Sequence, residues 1–467
     1  MLPELKIKCC LFYAHHKQTI KKVCYALMAI ALLYSLYNEI SYSQPLTQDL
    51  RNRIVGARRI KDGLSPYFYI WKEGDGDRYF DFPLFPGWKI SACTSTPFFH
   101  SLLIPIADLP QFQLNILWMF VEYLALAGCC LFALISATKE KRNKKTPYVL
   151  LIAVLFTYTV AWTSHVIVGQ SYVLIPLLAL AAYYFFSRRQ TFVTTLFFGM
   201  AAVSLILIRP TAIVMFLPFV FYAKRFVQWW LMASIVFAAY LIFVFSNPVQ
   251  QKNWTDYFAC LKVHAQLHQY IWSTTKILEQ PPGPIPTPQA RNIEGLNLDP
   301  KWNTKYGKVT DFTNLFIMFK AITGKKISVA GMEWCGAIAC AFLFFSLLAF
   351  RYKNIGISKE MLWLMGFCMY DIFSYCQPIL RAFYNWVELL FPLMLLAVYV
   401  KKVHVIPFLL IAIALLFNIF IPAFVPMRRN VGEVAMLTSF LFFIYRPLII
   451  LHFNEQKWKI NELVYWL

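Results

Sequence analysis

The sequence predicts an all-α polytopic membrane protein, a bundle of about 12 transmembrane helices carrying two long extracytoplasmic loops. Three observations lead there. Hydrophobic residues make up 59% of the 467-residue chain and charged residues 14%, where a soluble domain holds roughly 45–50% and about 25%. A water-facing surface for 54.4 kDa needs more charge than this. Aromatic residues at 18% and a mean hydropathy of +0.54 are the reverse of a disordered composition. Finally, apolar runs of near-spanning length recur along most of the chain.

A spanning helix needs about 20 mostly apolar residues. The runs fall at 23–42, 113–137, 147–164, 171–186, 191–208, 210–223, 228–246, 329–350, 360–377, 385–400, 404–425 and 433–452. The first reads as a retained span, because no small-residue cleavage site follows it. The loop 43–112 reads as a helix over 47–62, stopped by Gly63, then an irregular aromatic stretch over 64–99. The loop 247–328 opens with an amphipathic run, 253–271, and breaks at Pro281-Pro282-Gly283-Pro284-Ile285-Pro286, which cannot be helix.

The net charge of +21 has a membrane explanation. Lys and Arg gather in cytoplasmic loops and hold the topology. One alternating set of connections, both termini included, carries 21 Lys and Arg, and the other short connections carry 4. That bias puts both ends in the cytoplasm and the two long loops outside, in keeping with an even number of spans. No basic cluster has a nucleic-acid-reading fold around it, so nucleic acid is not an expected partner. Of the 11 cysteines, Cys93 and Cys260 are the two in the long loops, and whether they pair depends on the compartment those loops face. Cys24, Cys129, Cys130, Cys335, Cys340, Cys368 and Cys376 lie in or beside apolar runs, where Cys acts as a small hydrophobe.

A charge inside a span is costly and marks a functional site by default. Asp49 opens the first loop, and Glu122 lies about two turns into the second span. Gln170 follows Gly169 at the outer end of the fourth span, near His165. Arg209-Pro210 makes an outer turn. Asp371 is in the outer third of the ninth span, Arg381 precedes the tenth, and Glu388 is one turn into it. Separate spans thus bring polar groups to one outer face. Arg209 and Arg381 could equally be snorkelling interface anchors. The acidic run Glu73 to Asp81 lacks the late glutamate of a calcium loop and reads as a solvated turn. His264 and His268 share a helix face, but no further ligand stands at a suggestive spacing, so no metal site is expected. There is no Gly-rich phosphate cradle, Walker lysine or dinucleotide fingerprint, which argues against a nucleotide-driven pump.

The stretch Asp49-Leu50-Arg51-Asn52-Arg53-Ile54-Val55-Gly56-Ala57-Arg58-Arg59-Ile60-Lys61-Asp62-Gly63-Leu64-Ser65-Pro66-Tyr67 resembles the first-loop signature of glycosyltransferase family 87. That signature is an acidic residue after the first span, two small residues two turns on, then Gly-x-x-Pro-Tyr. Thr96-Pro97-Phe98-Phe99 with Pro105 and Pro110 resembles the family's approach to the second span. Gly169-Gln170, Gly199 with Arg209-Pro210, and Pro378 to Arg381 with Leu389-Leu390-Phe391-Pro392 keep the family's order over roughly residues 23–400. Three departures stand out. Arg209 replaces the usual Lys, Arg53-Ile54 replaces a common aromatic pair, and Phe383-Tyr384-Asn385 lies where many members carry a His.

The resemblance implies a GT-C fold and an enzyme moving a hexose, typically mannose, from a polyprenyl-phosphate-linked sugar to a lipid-linked or glycan acceptor in cell-envelope glycan synthesis. It implies an integral protein of a bacterial inner or plasma membrane with its site on the extracytoplasmic face. It assigns Asp49 as general base, because attack of an acceptor hydroxyl on the anomeric carbon needs one. The leaving phosphate gains negative charge, which cations stabilise, and Arg209 and Arg381 are the choices. Tyr67, Gln170, His264 and Glu388 complete the expected substrate contacts, with core packing the alternative for Tyr67. No cofactor is needed, because the activated donor carries the energy. The rivals are a lipid or glycan flippase or other secondary transporter, and a non-catalytic glycolipid-binding subunit. Transporters usually show internal repeats and broken midplane helices, and neither is visible in the sequence.

Overall fold

The computed structural model describes residues 2–42, 48–67, 69, 77–79, 93–271, 314–323, 327–377, 381–400, 405–420 and 428–455. Among these the chain is all helical, with sixteen α-helices and no strand. In order they are α1 (Leu2–Tyr42), α2 (Gln48–Lys61), α3 (Pro97–Leu103), α4 (Gln111–Ser136), α5 (Lys139–Thr157), α6 (Val160–Val168), α7 (Leu174–Ser187) and α8 (Phe192–Ile208). There follow α9 (Val227–Ser246), α10 (Pro248–Ile271), α11 (Leu315–Thr323), α12 (Val329–Tyr352), α13 (Lys359–Tyr375), α14 (Leu390–Tyr399), α15 (Val405–Ile419) and α16 (Arg428–Glu455).

Where it is described, each apolar run of the sequence falls largely on helix, and residues 404 and 421–425 of the run 404–425 lie outside the described residues. On length and composition five helices can cross a membrane: Lys22–Ser41 of α1, α4, α9, Ala330–Tyr352 of α12 and Asn430–Ile450 of α16. The other expected spans are shorter helices, and three are irregular. The run 147–164 is not one straight helix but the pair α5 and α6, bent by 65°, which together are long and apolar enough for one broken span. Thr159 sets the break. Its Oγ1 accepts the amide of Trp162 at 3.2 Å, so the chain restarts a helix there. The freed amide of Ala161 donates to Asn418 Oδ1 at 3.2 Å, as a break at membrane depth requires. The sequence therefore concealed a broken helix. Residues 210–226 wind as a tight 3₁₀ helix, with Pro210 at its start and Pro218 inside it. The span expected over 385–400 begins as the 3₁₀ turn Phe383–Leu389 and continues as α14.

The core lies around α13, where Leu362 to Asp371 are all buried. A helix apolar all round belongs in the middle, and α13 packs against residues 210–226, α12, α14 and α16. Trp363 anchors it, ringed by Tyr183, Phe186, Phe216, Phe219 and Phe391 at 5.4–6.1 Å between ring centroids. At the periphery, α9 leaves Leu231, Ile235, Ile242 and Phe245 exposed, a face that suits hydrocarbon.

Among its described residues the first loop holds the helices α2 and α3. Helix α2 ends where Gly63 takes φ +74°, with amide bonds from Gly63 to Ile60 O and from Leu64 to Arg59 O. Of the stretch 64–99, expected to be irregular, residues 64–67 and 93–96 carry no helix, Asp77–Tyr79 form a 3₁₀ turn and Pro97 begins α3, while 68, 70–76 and 80–92 lie outside the described residues. Thr96 caps that helix by accepting from Phe99 N, and Pro97 sits in its first turn. The loop helices pack together, α2 on α3, with α10 of the second loop also on α3. The proline run 281–286 and most of the acidic run 73–81 lie outside the described residues.

Candidate active site

Asp49 stands in the first turn of α2, where the helix dipole favours a carboxylate. Four residues on, Arg53 shares its face. The Arg53 guanidinium donates to Gly169 O at 2.8 Å through Nη1, to Ser95 Oγ at 3.0 Å through Nε, and to Gln170 Oε1 through Nη2. Gln170 in turn donates through Nε2 to Asp49 Oδ2. The amide is thus fixed, with its oxygen on the cation and its NH₂ on the carboxylate. Trp118 Nε1 holds the Gln170 carbonyl at 3.0 Å.

Gly169 makes this meeting of α2 and α6 sterically allowed. It ends α6 with φ +68°, and a Cβ there would come within 2.5 Å of the Leu50 Cβ. Gly56 has a similar task. A Cβ on it would meet the His100 ring at 2.4 Å, while His100 Nδ1 lies 3.0 Å from Arg53 O. The small residues of the first-loop signature therefore let a buried histidine brace the turn that carries Arg53. Burial pushes that histidine down to about 4, so it is neutral in the working range.

Beyond Asp49 the contacts run toward a cation. Tyr384 OH lies 3.5 Å from Asp49 Oδ2. Its ring stacks on Tyr172 at 5.7 Å, and the Arg209 guanidinium sits over the Tyr172 ring at 5.3 Å. Arg209 Nη2 makes a long 3.4 Å bond to Ser374 Oγ, and its Nε is buried with no partner among the described residues. A carboxylate and a guanidinium thus flank two stacked tyrosines.

Arg381 is situated differently. It is 3% exposed, and Nη2 lies 2.6 Å from Asp371 Oδ1 and 3.8 Å from Glu388 Oε2, while Nη1 meets Glu433 Oε1. Tyr370 OH donates to Glu388 Oε2 at 2.8 Å. Sequence reasoning missed Glu433, although the rule that flagged Asp371 applies equally to an acid at the start of the last span. It also missed Arg53 as a site residue. The signal was available in its spacing of four from Asp49.

The remaining expected residues divide. Tyr67 is 4% exposed and donates to Ser95 O at 2.7 Å. It packs against Tyr257 and His100, in the loop core, and reaches the site through Ser95 and His100. Glu122 and His165 are both fully buried, with Oε1 and Nδ1 3.2 Å apart. His165 Nε2 accepts from Val173 N at 3.2 Å. His264 and His268 lie on α10, and their side chains are outside the described set. Among the described residues no group of three or more His, Cys, Asp or Glu is arranged to hold a metal ion.

Removal from water pushes the Asp49 carboxyl above the usual carboxylate range, with the Arg53 charge and the Tyr384 hydroxyl opposing it. A base with a raised pKa is active above that pKa and is lost as pH falls through it. Arg53→Met removes the opposing charge. It is expected to move the acid limb of the pH–rate profile to higher pH, while Arg53→Lys moves it less. An acid limb at the same pH in all three proteins would uncouple Arg53 from the base.

No curated protein and no solved structure matches the chain. The model of glycosyltransferase family 87 matches residues 94–278. That stretch includes Ser95, Trp118, Gln170, Tyr172 and Arg209 of the geometry above and leaves Asp49 and Arg381 outside it. Over residues 94–278, well under half of its length, this helical chain with several apolar helices long enough to cross a membrane is thus similar to glycosyltransferase family 87, a family of glycosyltransferase enzymes.

Proposed function

We propose that the protein transfers a hexose, mannose-like, from a polyprenyl-phosphate donor to a lipid-linked or glycan acceptor, with inversion at the anomeric carbon. The observation that carries this reading is the placement of Asp49 and Arg209 on either side of the stacked Tyr384 and Tyr172. A base on one side and a phosphate-binding cation on the other is the layout that direct displacement needs. Asp49, held by Gln170, takes the proton of the acceptor hydroxyl. Arg209 steadies the leaving phosphate, because its guanidinium lies against the Ser374 hydroxyl and the Tyr172 ring and makes no ion pair among the described residues, Glu388 acting on it only through its charge. Arg381 is the counter-ion of the three carboxylates behind it and places Glu388. The pair of tyrosines offers a ring face to the sugar, and His264 of the second loop is assigned a substrate contact by the family resemblance alone.

The reading is a GT-C bundle of about twelve spans within one domain, in which the short helices cross together with the six long or bent ones. The excess of 21 Lys and Arg over 4 on alternating connections supports a site on the extracytoplasmic face of a bacterial inner or plasma membrane, in cell-envelope glycan synthesis. The α5–α6 break is a feature shared with secondary transporters, so a glycolipid flippase is the alternative. Purified protein incubated with a panel of polyprenyl-phosphate sugars separates the two. Release of free polyprenyl phosphate is expected with one sugar class, and lipid movement without any release would overturn the transfer reading.

Arg209→Ala is expected to raise the donor KM and lower turnover, by about ten- to a hundred-fold in kcat/KM. Losing one charged hydrogen-bonding partner costs about 1.5–3 kcal/mol. Arg209→Lys restores part of this, since the family generally has Lys there. Unchanged donor kinetics in the Ala variant would make Arg209 an interface anchor.

A further inference from the structure

We propose that Cys93 and Cys260 are joined by a disulfide that ties the first long loop to α10 of the second. Both thiols are buried, at 2% and 5% exposure. They share one small apolar cluster with Tyr67 and Tyr257. Cys260 Sγ lies 3.4 Å from the carbonyl oxygen of Cys93. A carbonyl oxygen stands about 2.4 Å from its own Cα by bond lengths. The Cys260 sulfur is therefore within about 6 Å of the Cys93 Cα, and both cysteines are thiols in this structure, so the bond forms by side-chain rotation. In the thiol form Cys93 Sγ donates to Asn52 O at 3.2 Å, and a thiol is a poor donor.

Most other described cysteines sit on spans. Cys129 and Cys130 are consecutive on α4, and Cys335, Cys340, Cys368 and Cys376 are on or beside α12 and α13. The 93–260 pair is the one that both loops contribute to, and loops facing an oxidising compartment are where disulfides persist. The oxidant is a disulfide-exchange protein of that compartment. One cysteine thiolate attacks its disulfide to give a mixed disulfide. The second thiolate attacks that bond, and the exchange protein leaves as a dithiol carrying two electrons and two protons.

The bond has a place in the site. Ser95 is two residues from Cys93. Its carbonyl takes the Tyr67 hydroxyl at 2.7 Å, and its Oγ accepts from Arg53 at 3.0 Å. A staple at Cys93 thus anchors the segment that holds Arg53 against Gln170. The proposal rests on the outward orientation of both loops and not on the transfer reaction.

The test uses the full-length protein in native membranes, dissolved in denaturing detergent with N-ethylmaleimide and no reductant, then digested and mapped by mass. A peptide pair linked through Cys93 and Cys260, lost on reduction, is the expected result. Maleimide on both residues, or either one joined to another cysteine such as Cys376, would overturn it. In a second measurement, reductant is expected to lower the melting temperature of the wild type but not of a Cys93→Ser, Cys260→Ser double variant. Equal sensitivity in both proteins would count against the staple. A linked pair in a protein that releases no polyprenyl phosphate would leave the staple standing and remove the transfer reading.

Discussion

Replacing Asp49 by Asn is expected to leave a folded protein whose sugar transfer is about 10²–10⁴-fold slower, the usual contribution of a general base. The fold should hold for local reasons. Asn presents an Oδ1 that still accepts from Gln170 Nε2, so the Arg53–Gln170–49 chain keeps its geometry. An uncharged residue in the first turn of α2 forfeits only a small dipole contribution, about 0.3–1 kcal/mol. What Asn cannot do is take a proton. Donor affinity should persist, because Arg209, the proposed phosphate ligand, lies beyond the two tyrosines. The informative measurement is turnover beside donor affinity and melting temperature in one detergent preparation. Near-normal transfer in a variant with an unchanged melt would remove Asp49 from the mechanism. Glu388, Asp371 and Glu122 would then be the carboxylates to test, and the first two share the single Arg381 cation with Glu433.

Arg381→Ala is expected to act on folding before it acts on kinetics. The side chain is the shared partner of Asp371, Glu388 and Glu433, carboxylates brought in by three separate segments, all at 0% exposure. Removing one partner of a buried ion pair costs about 3–5 kcal/mol, because the uncompensated charges stay behind. That is a large share of the 5–15 kcal/mol that holds a typical domain together. The expected outcome is loss of a monodisperse peak on size exclusion and a lowered melt. Adding Glu433→Gln to the Ala variant should recover part of the melt by removing one stranded charge. Arg381→Lys should recover part too, since a point charge cannot bridge three carboxylates as a planar fork does. If Arg381→Ala is monodisperse, melts normally and loses donor affinity, the residue is a phosphate clamp and not a counter-ion.

Much of the site was legible residue by residue, because its signals are local. Hydropathy over about 20 residues is a property of a contiguous segment, so the apolar helices could be read off the chain. The end of α2 at Gly63 depends on one residue's tolerance of positive φ. Asp49, Gln170 and Arg209 could be singled out because a charge or amide at a span end is conspicuous against its neighbours. The family resemblance rested on the same kind of short, ordered signal. The Thr159 cap is local as well, yet it was swamped by an apolar run that continues on both sides of it.

What only the tertiary structure decided is which of these groups meet. Arg53 reaches Gln170 across 117 positions, and Gln170 reaches Asp49 across 121. Neither pairing has any periodicity along the chain to betray it. The two arginines looked alike in sequence, both basic residues in short outer turns. Packing separated them, burying Arg381 among Asp371, Glu388 and Glu433 and leaving Arg209 against a tyrosine face and a serine hydroxyl. Hydropathy determines that a helix lies in the membrane. It carries no record of the helix's rotation or its neighbours, and those are set by how side chains such as the Trp363 cluster and the bare Gly169 backbone fit together.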